Sequence, residues 1–146
     1  MADFSASQIQ QVWQKATTVE GYDPKQYRKD VAGAWIAFSD YGKDTQYGWN
    51  IDHVVPQALF STDAKPSAVS NSVNLRPMHW LNNHSKGNDF PEYKVTVTSS
   101  GNRNIDCNKK LFVNEDLFRQ LYNYYDMRDL VNHRRSLFAD LYGDLF

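Results

Sequence analysis

Apolar residues recur along this chain with two periods, and the places where the period changes mark the element boundaries. Between residues 6 and 17, Ile9, Val12, Trp13 and Ala16 fall at helical spacing, with Ser5 or Ser7 as a cap. Gly21 and Pro24 break that pattern, and Tyr27 and Asp30 lead into VAGAWIAF, which fits a strand and a short helix equally well. Gly42 and Gly48 bracket a polar stretch. Residues 49–55, WNIDHVV, read as a strand stopped by Pro56. The segment LFSTDAKPSAVSNS has the Pro, Ser and Asn density of irregular backbone, and an extended piece follows over 73–78, kept short by Pro77. Residues 80–86 then form about two helical turns, ended by Gly87. Beyond Pro91, YKVTVTSS alternates as a half-buried strand does, and GNRN turns it into IDCNKK. Asn114, Glu115 and Asp116 open a helix carrying Leu117, Leu121, Tyr124 and Tyr125, and Leu130, Leu137, Phe138 and Leu141 predict a last one. The fold class this predicts is α+β, in one domain spanning 1–146, with no repeat and no linker.

Composition narrows the class without naming a function. The 146 residues are 41% hydrophobic and 14% aromatic, enough for a real core. No apolar run approaches the roughly 20 residues of a membrane span. The start, MADFSASQIQ, lacks the basic and apolar regions of an export signal, so a cytoplasmic protein with no membrane partner is expected. Cys107 is the only cysteine, which excludes an intrachain disulfide and a four-cysteine zinc site. The net charge of −1 is not that of a general nucleic-acid binder. Only the middle, residues 52–114, is positive, with seven basic and five acidic side chains. Any work on phosphate would have to be local.

That middle stretch also holds the candidate chemistry. His53, His79 and His84 fall within 32 positions, together with Asp52 and Asn71, Asn74, Asn82, Asn83 and Asn88. Asp52 offers a hard oxygen ligand and neutral His53 can take a proton from water. Neighbours on a regular strand point to opposite faces, so a bulge or strand end near Pro56 is needed to bring both to one cleft. His79 and Asn83 share a helix face. Taken singly, His79 reads as a packing residue, Lys86 as a solvated charge, Trp49 and Trp80 as core, and Asn71, Asn82 and Asn88 as turn or surface residues. Asp52, His53, Asn74 and Asn83 together resist so plain an account.

The segments GWNIDHVVPQALF and NSVNLRPMHWLNNHSKGND resemble the two halves of the HNH endonuclease motif, over a core of about residues 49–88. YRKDVAGAWIAFSDYG is similar to the lead-in region of small stand-alone members, and DHVVPQALF to the nuclease module of RNA-guided DNA-cutting effectors. The resemblance implies a beta-beta-alpha-metal finger, supported here by flanking helices and a small β-hairpin. It implies that Asp52 and Asn83 hold one magnesium, manganese or other divalent ion and that His53 is the general base. Asn74 is then the middle asparagine that secures the hairpin loop and helps orient His53. Lys86 and Gly87 match the end of the motif. Many relatives carry zinc-binding cysteines at the positions of His79 and Asn82, with another pair upstream. With those cysteines missing, no structural zinc is expected, and packing of Trp49, Leu75, Met78 and Trp80 should hold the finger.

The resemblance implies metal-dependent hydrolysis of phosphodiester bonds, with DNA as the expected substrate. Arg76 and Lys86 are candidates for positioning phosphate, and His79 or His84 for contacting phosphate or assisting the leaving group. A ribonuclease or toxin using the same finger, and a noncatalytic nucleic-acid or partner-binding module, are the alternatives. The aromatic residues Tyr122, Tyr124, Tyr125, Phe138, Tyr142 and Phe146 are read as closing the core, or as pairing with a second subunit or a targeting protein.

Overall fold

The computed structural model describes residues 3–60 and 64–125. Helix α1 (Ala6–Trp13) starts at a reciprocal cap: the Gln8 N–H donates to Ser5 Oγ at 3.1 Å, and the Ser5 N–H to Gln8 Oε1 at 2.9 Å. It ends before the expected residue 17. There Thr17 exchanges two backbone hydrogen bonds with Lys29, at 2.9 and 2.8 Å, which commits the chain to extended geometry. Strands β1 (Tyr27–Lys29) and β2 (Trp35–Ala37) pair antiparallel, so VAGAWIAF resolves as a strand leading into a single 3-10 turn.

Strand β3 (Trp49–His53) pairs antiparallel with β4 (Leu75–His79), in register from Trp49 opposite His79 to His53 opposite Leu75. The long connection, expected to be irregular, contains the short helix α2 (Pro66–Val69), with Pro66 in the first turn where a missing N–H costs nothing. Helix α3 (Trp80–Lys86) follows β4 directly and ends at Gly87, whose φ of 52° lies where a side chain would be strained. Ahead of β3, Gly48 is fixed by closeness: a Cβ there would meet the Lys43 carbonyl oxygen at 1.8 Å.

Pro77 sits inside β4 because, among the described residues, that strand's outer edge has no partner strand. Successive residues direct their backbone groups alternately toward β3 and away from it. Of the outward groups, the Leu75 carbonyl accepts from Lys15 Nζ at 2.8 Å, and the His79 N–H donates to Asp30 Oδ2 at 3.0 Å. Pro77 lies midway between them on the same edge, where no donor is required.

Strands β5 (Glu92–Ser100) and β6 (Arg103–Phe112) form a long hairpin with a register shift between Val95 and Val97. Helix α4 (Glu115–Tyr124) is capped by Asn114, whose side chain accepts the Leu117 N–H at 2.8 Å. It buries Phe118 and Leu121. Tyr124, expected inward, is 53% exposed, and its hydroxyl accepts from Asn71 Nδ2 at 2.7 Å. The helix expected around Leu130, Leu137, Phe138 and Leu141, and the aromatics Phe138, Tyr142 and Phe146, lie outside the described residues.

The class is α+β. Two apolar clusters flank the β3–β4 hairpin: Val12, Trp13, Ile36, Trp49, Ile51 and Leu75 in one, and Val54, Met78, Tyr93, Val95, Phe118 and Leu121 in the other. Trp49, Leu75 and Met78 therefore pack as expected. Trp80 does not: it is only half-buried, and its Nε1 donates to the Thr45 carbonyl at 2.6 Å. Among the described residues no helix is long and apolar enough to cross a membrane.

Candidate functional site

The β3–β4 pairing is regular through His53, with no bulge, so Asp52 and His53 leave the strand on opposite sides. This corrects the expectation that irregular backbone brings them to one face. Asp52 turns toward α3 and β5, while His53 turns toward the amino-terminal segment, its ring centroid 6.0 Å from that of Phe4.

Asp52 is 3% exposed and holds two cations. Arg76, directly across the ladder, donates through Nε to Oδ2 at 3.0 Å. Lys86 Nζ lies 3.3 Å from Oδ1 and also donates to the His53 carbonyl at 3.1 Å. Lys86 is itself 1% exposed, the opposite of the solvated charge its residue type suggests. Burial pulls its pKa down, against the attraction of Asp52. Burial works against charge on Arg76 as well, but Asp52 and Tyr93 outweigh it and raise its pKa. The guanidinium lies 5.0 Å from the Tyr93 ring centroid. Arg76 Nη2 and the Tyr93 hydroxyl are buried, and neither has a hydrogen-bond partner among the described residues. Arg76 and Lys86 are thus spent on Asp52 rather than displayed toward solvent.

His53 is half-buried at the end of β3, its Nε2 2.9 Å from Ser70 Oγ. Burial lowers its pKa below the ordinary histidine value, Asp52 opposes the shift and Lys86 adds to it. At neutral pH the ring is uncharged. Asn74 is fully buried, and its side-chain hydrogen bonds go to the loop backbone and not to His53. Its Oδ1 accepts the Val55 N–H at 2.8 Å, and its Nδ2 donates to the Val55 and Val69 carbonyls at 3.0 and 2.9 Å. It staples together the two ends of the connection between the strands, beside Ser70. Ser70 was invisible in the sequence, one serine among several in a turn-rich segment.

Replacing Asn74 with Ala should destabilise the protein by roughly 2–4 kcal/mol, since three bonds are lost and buried backbone groups are left unpaired. Urea unfolding checks this, and a loss below about 0.5 kcal/mol would show that water reaches those groups.

Asn83 is half-buried on α3, one turn before Lys86, and α3 packs against both β3 and β4. Its neighbour Asn82 is fully buried. Asn82 Nδ2 donates to Asp30 Oδ2 at 3.1 Å and to the Val97 carbonyl at 2.9 Å, and its Oδ1 accepts from the N–H groups of Thr96 and Val97. Asp30 also accepts from Ala32 and Ala34 through Oδ1 and from the His79 N–H through Oδ2. Burial raises the Asp30 pKa against those hydrogen bonds. The Asp30–Asn82 clasp joins the β1–β2 turn, α3 and β5, a role that reading Asn82 as a turn or surface residue missed.

His79 is also committed. Its Nε2 lies 2.9 Å from the Gln46 carbonyl and its Nδ1 accepts the Leu81 N–H at 3.2 Å. Burial holds its pKa low, against its bond to Gln46 and the charge of Asp30. His84 is exposed. Among the described residues no three His, Cys, Asp or Glu side chains gather as a metal cage. No family model matches the chain, and neither curated proteins nor solved structures give a match.

Proposed function

We propose that the chain is a metal-dependent phosphodiester hydrolase of the HNH class, acting on DNA. The observation that carries this reading is the β3–β4 hairpin running straight into α3. It puts Asp52 against the helix bearing Asn83 and Lys86, and neutral His53 at the adjoining strand end. On this reading Asp52 and Asn83 would hold the ion, and His53, which leaves the strand on its other side, would act from the strand end.

The donor chemistry fits a small hard cation. Asp52 would supply a carboxylate oxygen and Asn83, on the helix packed on that strand, a neutral carboxamide oxygen, while Arg76 and Lys86 now hold the two carboxylate oxygens. So short a protein donor set suits magnesium or manganese, which keep much of their shell as water and substrate oxygen. Lys86 would have to yield Oδ1. When bound, the ion would stabilise the charge that develops on the phosphate and on the departing 3′-oxygen.

His53 removes a proton from water, the water oxygen bonds to phosphorus, and the bond from phosphorus to the 3′-oxygen breaks. Ser70 holds the His53 ring, Asn74 holds the loop that carries Ser70, and Lys86 anchors the strand end through the His53 carbonyl. The test is incubation with supercoiled, linear and single-stranded DNA and with RNA, each with magnesium, manganese or chelator. Cleavage of DNA that stops on chelation is the expected result. Cleavage of RNA alone would shift the substrate to RNA, and no cleavage of any substrate by folded protein would overturn the reading.

A further inference from the structure

A cleft of about 390 Å³ runs along the outer edge of β4, between the end of α1 with β1 on one side and α4 on the other. Among the described residues Lys15, Lys29 and Arg76 line it, no acidic side chain does, and Val54, Leu75 and Leu117 contribute apolar wall. With Arg76 neutralised by Asp52, the cations left to the cleft are the two lysines, in a chain whose net charge is −1. We infer that the cleft binds a nucleotide of a nucleic-acid strand, its phosphate against the lysines and its sugar or base against the apolar wall. The inference rests on the proposed nuclease reading and names where the substrate strand runs beside the reacting phosphate.

Three features carry it. First, the cleft adjoins the candidate site through shared residues: Arg76 lines it while pairing with Asp52, and Val54 follows His53 directly. Second, the strand edge beneath is closed to β-type pairing by Pro77 and by Lys15, whose Nζ donates to the Ser72 and Leu75 carbonyls, so an extended peptide could not add a strand there. Third, the volume suits one nucleotide and the lining joins cations to apolar surface, as sites that track a single strand do. Lys29 lines the cleft with its stem while its ammonium rests over the Trp35 ring, 4.8 Å from the centroid, from which it would swing to meet a phosphate.

Binding is measured in chelator, where nothing is cut, by fluorescence anisotropy with labelled single-stranded and duplex DNA 12-mers, and with a free mononucleotide as competitor. Lys15→Gln risks the fold because its ammonium holds two carbonyls, so the variants are Lys29→Gln and Gln120→Glu, at opposite walls of the cleft. Both should unfold at the wild-type temperature. Together they should weaken oligonucleotide binding about tenfold or more and flatten its salt dependence by roughly one phosphate contact. Lys94→Gln with Lys110→Gln, on the β5–β6 hairpin, should leave binding unchanged. Competition by the mononucleotide at millimolar concentration would assign the cleft to a free nucleotide instead of a strand and overturn the proposal. So would variants that bind within twofold of wild type with the same salt slope. If wild type cuts DNA while the cleft variants bind normally, the cleft proposal fails and the nuclease reading stands. If wild type neither binds nor cuts, both fail.

Discussion

Asp52→Ala should cost about 3–5 kcal/mol of folding stability, because it strands Arg76 and Lys86 as buried cations without their counter-ion. Against a typical total of roughly 5–15 kcal/mol, that loss leaves the variant close to unfolding. The effect comes from desolvation: neither Arg76 at 8% exposure nor Lys86 at 1% can turn to water without moving its element. Asp52→Asn should fall between, since it keeps an acceptor and loses the charge. Asp52→Leu combined with Lys86→Met should recover part of what Asp52→Ala loses, because one of the two buried cations is removed together with the anion while Arg76 stays unpaired. Urea unfolding of the four proteins decides it, and an Asp52→Ala variant within about 1 kcal/mol of wild type would mean that the cluster is wet in solution. There is a consequence for enzymology. On the proposed reading, lost cleavage in Asp52→Ala would mix folding with chemistry, whereas Asn83→Ala, at a half-buried position, would isolate the loss of the proposed ligand.

The elements were legible where one period dominated. Residues 49–53, 75–79 and 80–86 carry a strand, a strand and a helix much as their patterns require, and the Asn114 cap is visible in the sequence. The helix end was not legible at residue 17, because what stops α1 is a pairing with Lys29 twelve residues away, and no local signal encodes it. Polar side chains were the harder case. Lys86 and Asn82 look like surface residues by type and become buried because each meets a partner distant in sequence, Asp52 for the lysine and Asp30 with β5 for the asparagine. The sequence placed Asp52 and His53 side by side; only the strand register shows that they face different neighbours, one two cations and the other a serine hydroxyl. Asn74 was singled out by a resemblance, and what its hydrogen bonds show is a staple on the loop rather than a bond to the histidine.

If His53 is the base, as proposed, His53→Ala should lower turnover by roughly 100-fold to 10,000-fold while leaving folding nearly unchanged. The half-buried ring makes its hydrogen bond to Ser70 at the surface end of the strand, so truncation opens no deep cavity and strands no charge. The pH dependence gives a second, independent readout. His53 must be neutral to accept a proton, and its pKa is held below the ordinary histidine value by burial, with Lys86 adding to the shift and Asp52 opposing it. An ion taking up the Asp52 carboxylate weakens the one opposing influence, so the sign holds in the loaded state. The rate should therefore rise with pH along a limb centred below about 6.5, and be flat from there through neutrality. Ser70→Ala should move that limb and reduce turnover on the order of tenfold to 100-fold, as expected of a group that only orients the base. Initial rates on a plasmid substrate between pH 5 and 8, with the fold of each variant checked by circular dichroism, provide the comparison. A His53→Ala enzyme that keeps most of its rate, or a wild-type limb centred well above 7, would transfer the role of base to another group. The exposed His84 is the first to test, since both ring nitrogens of His79 are already engaged.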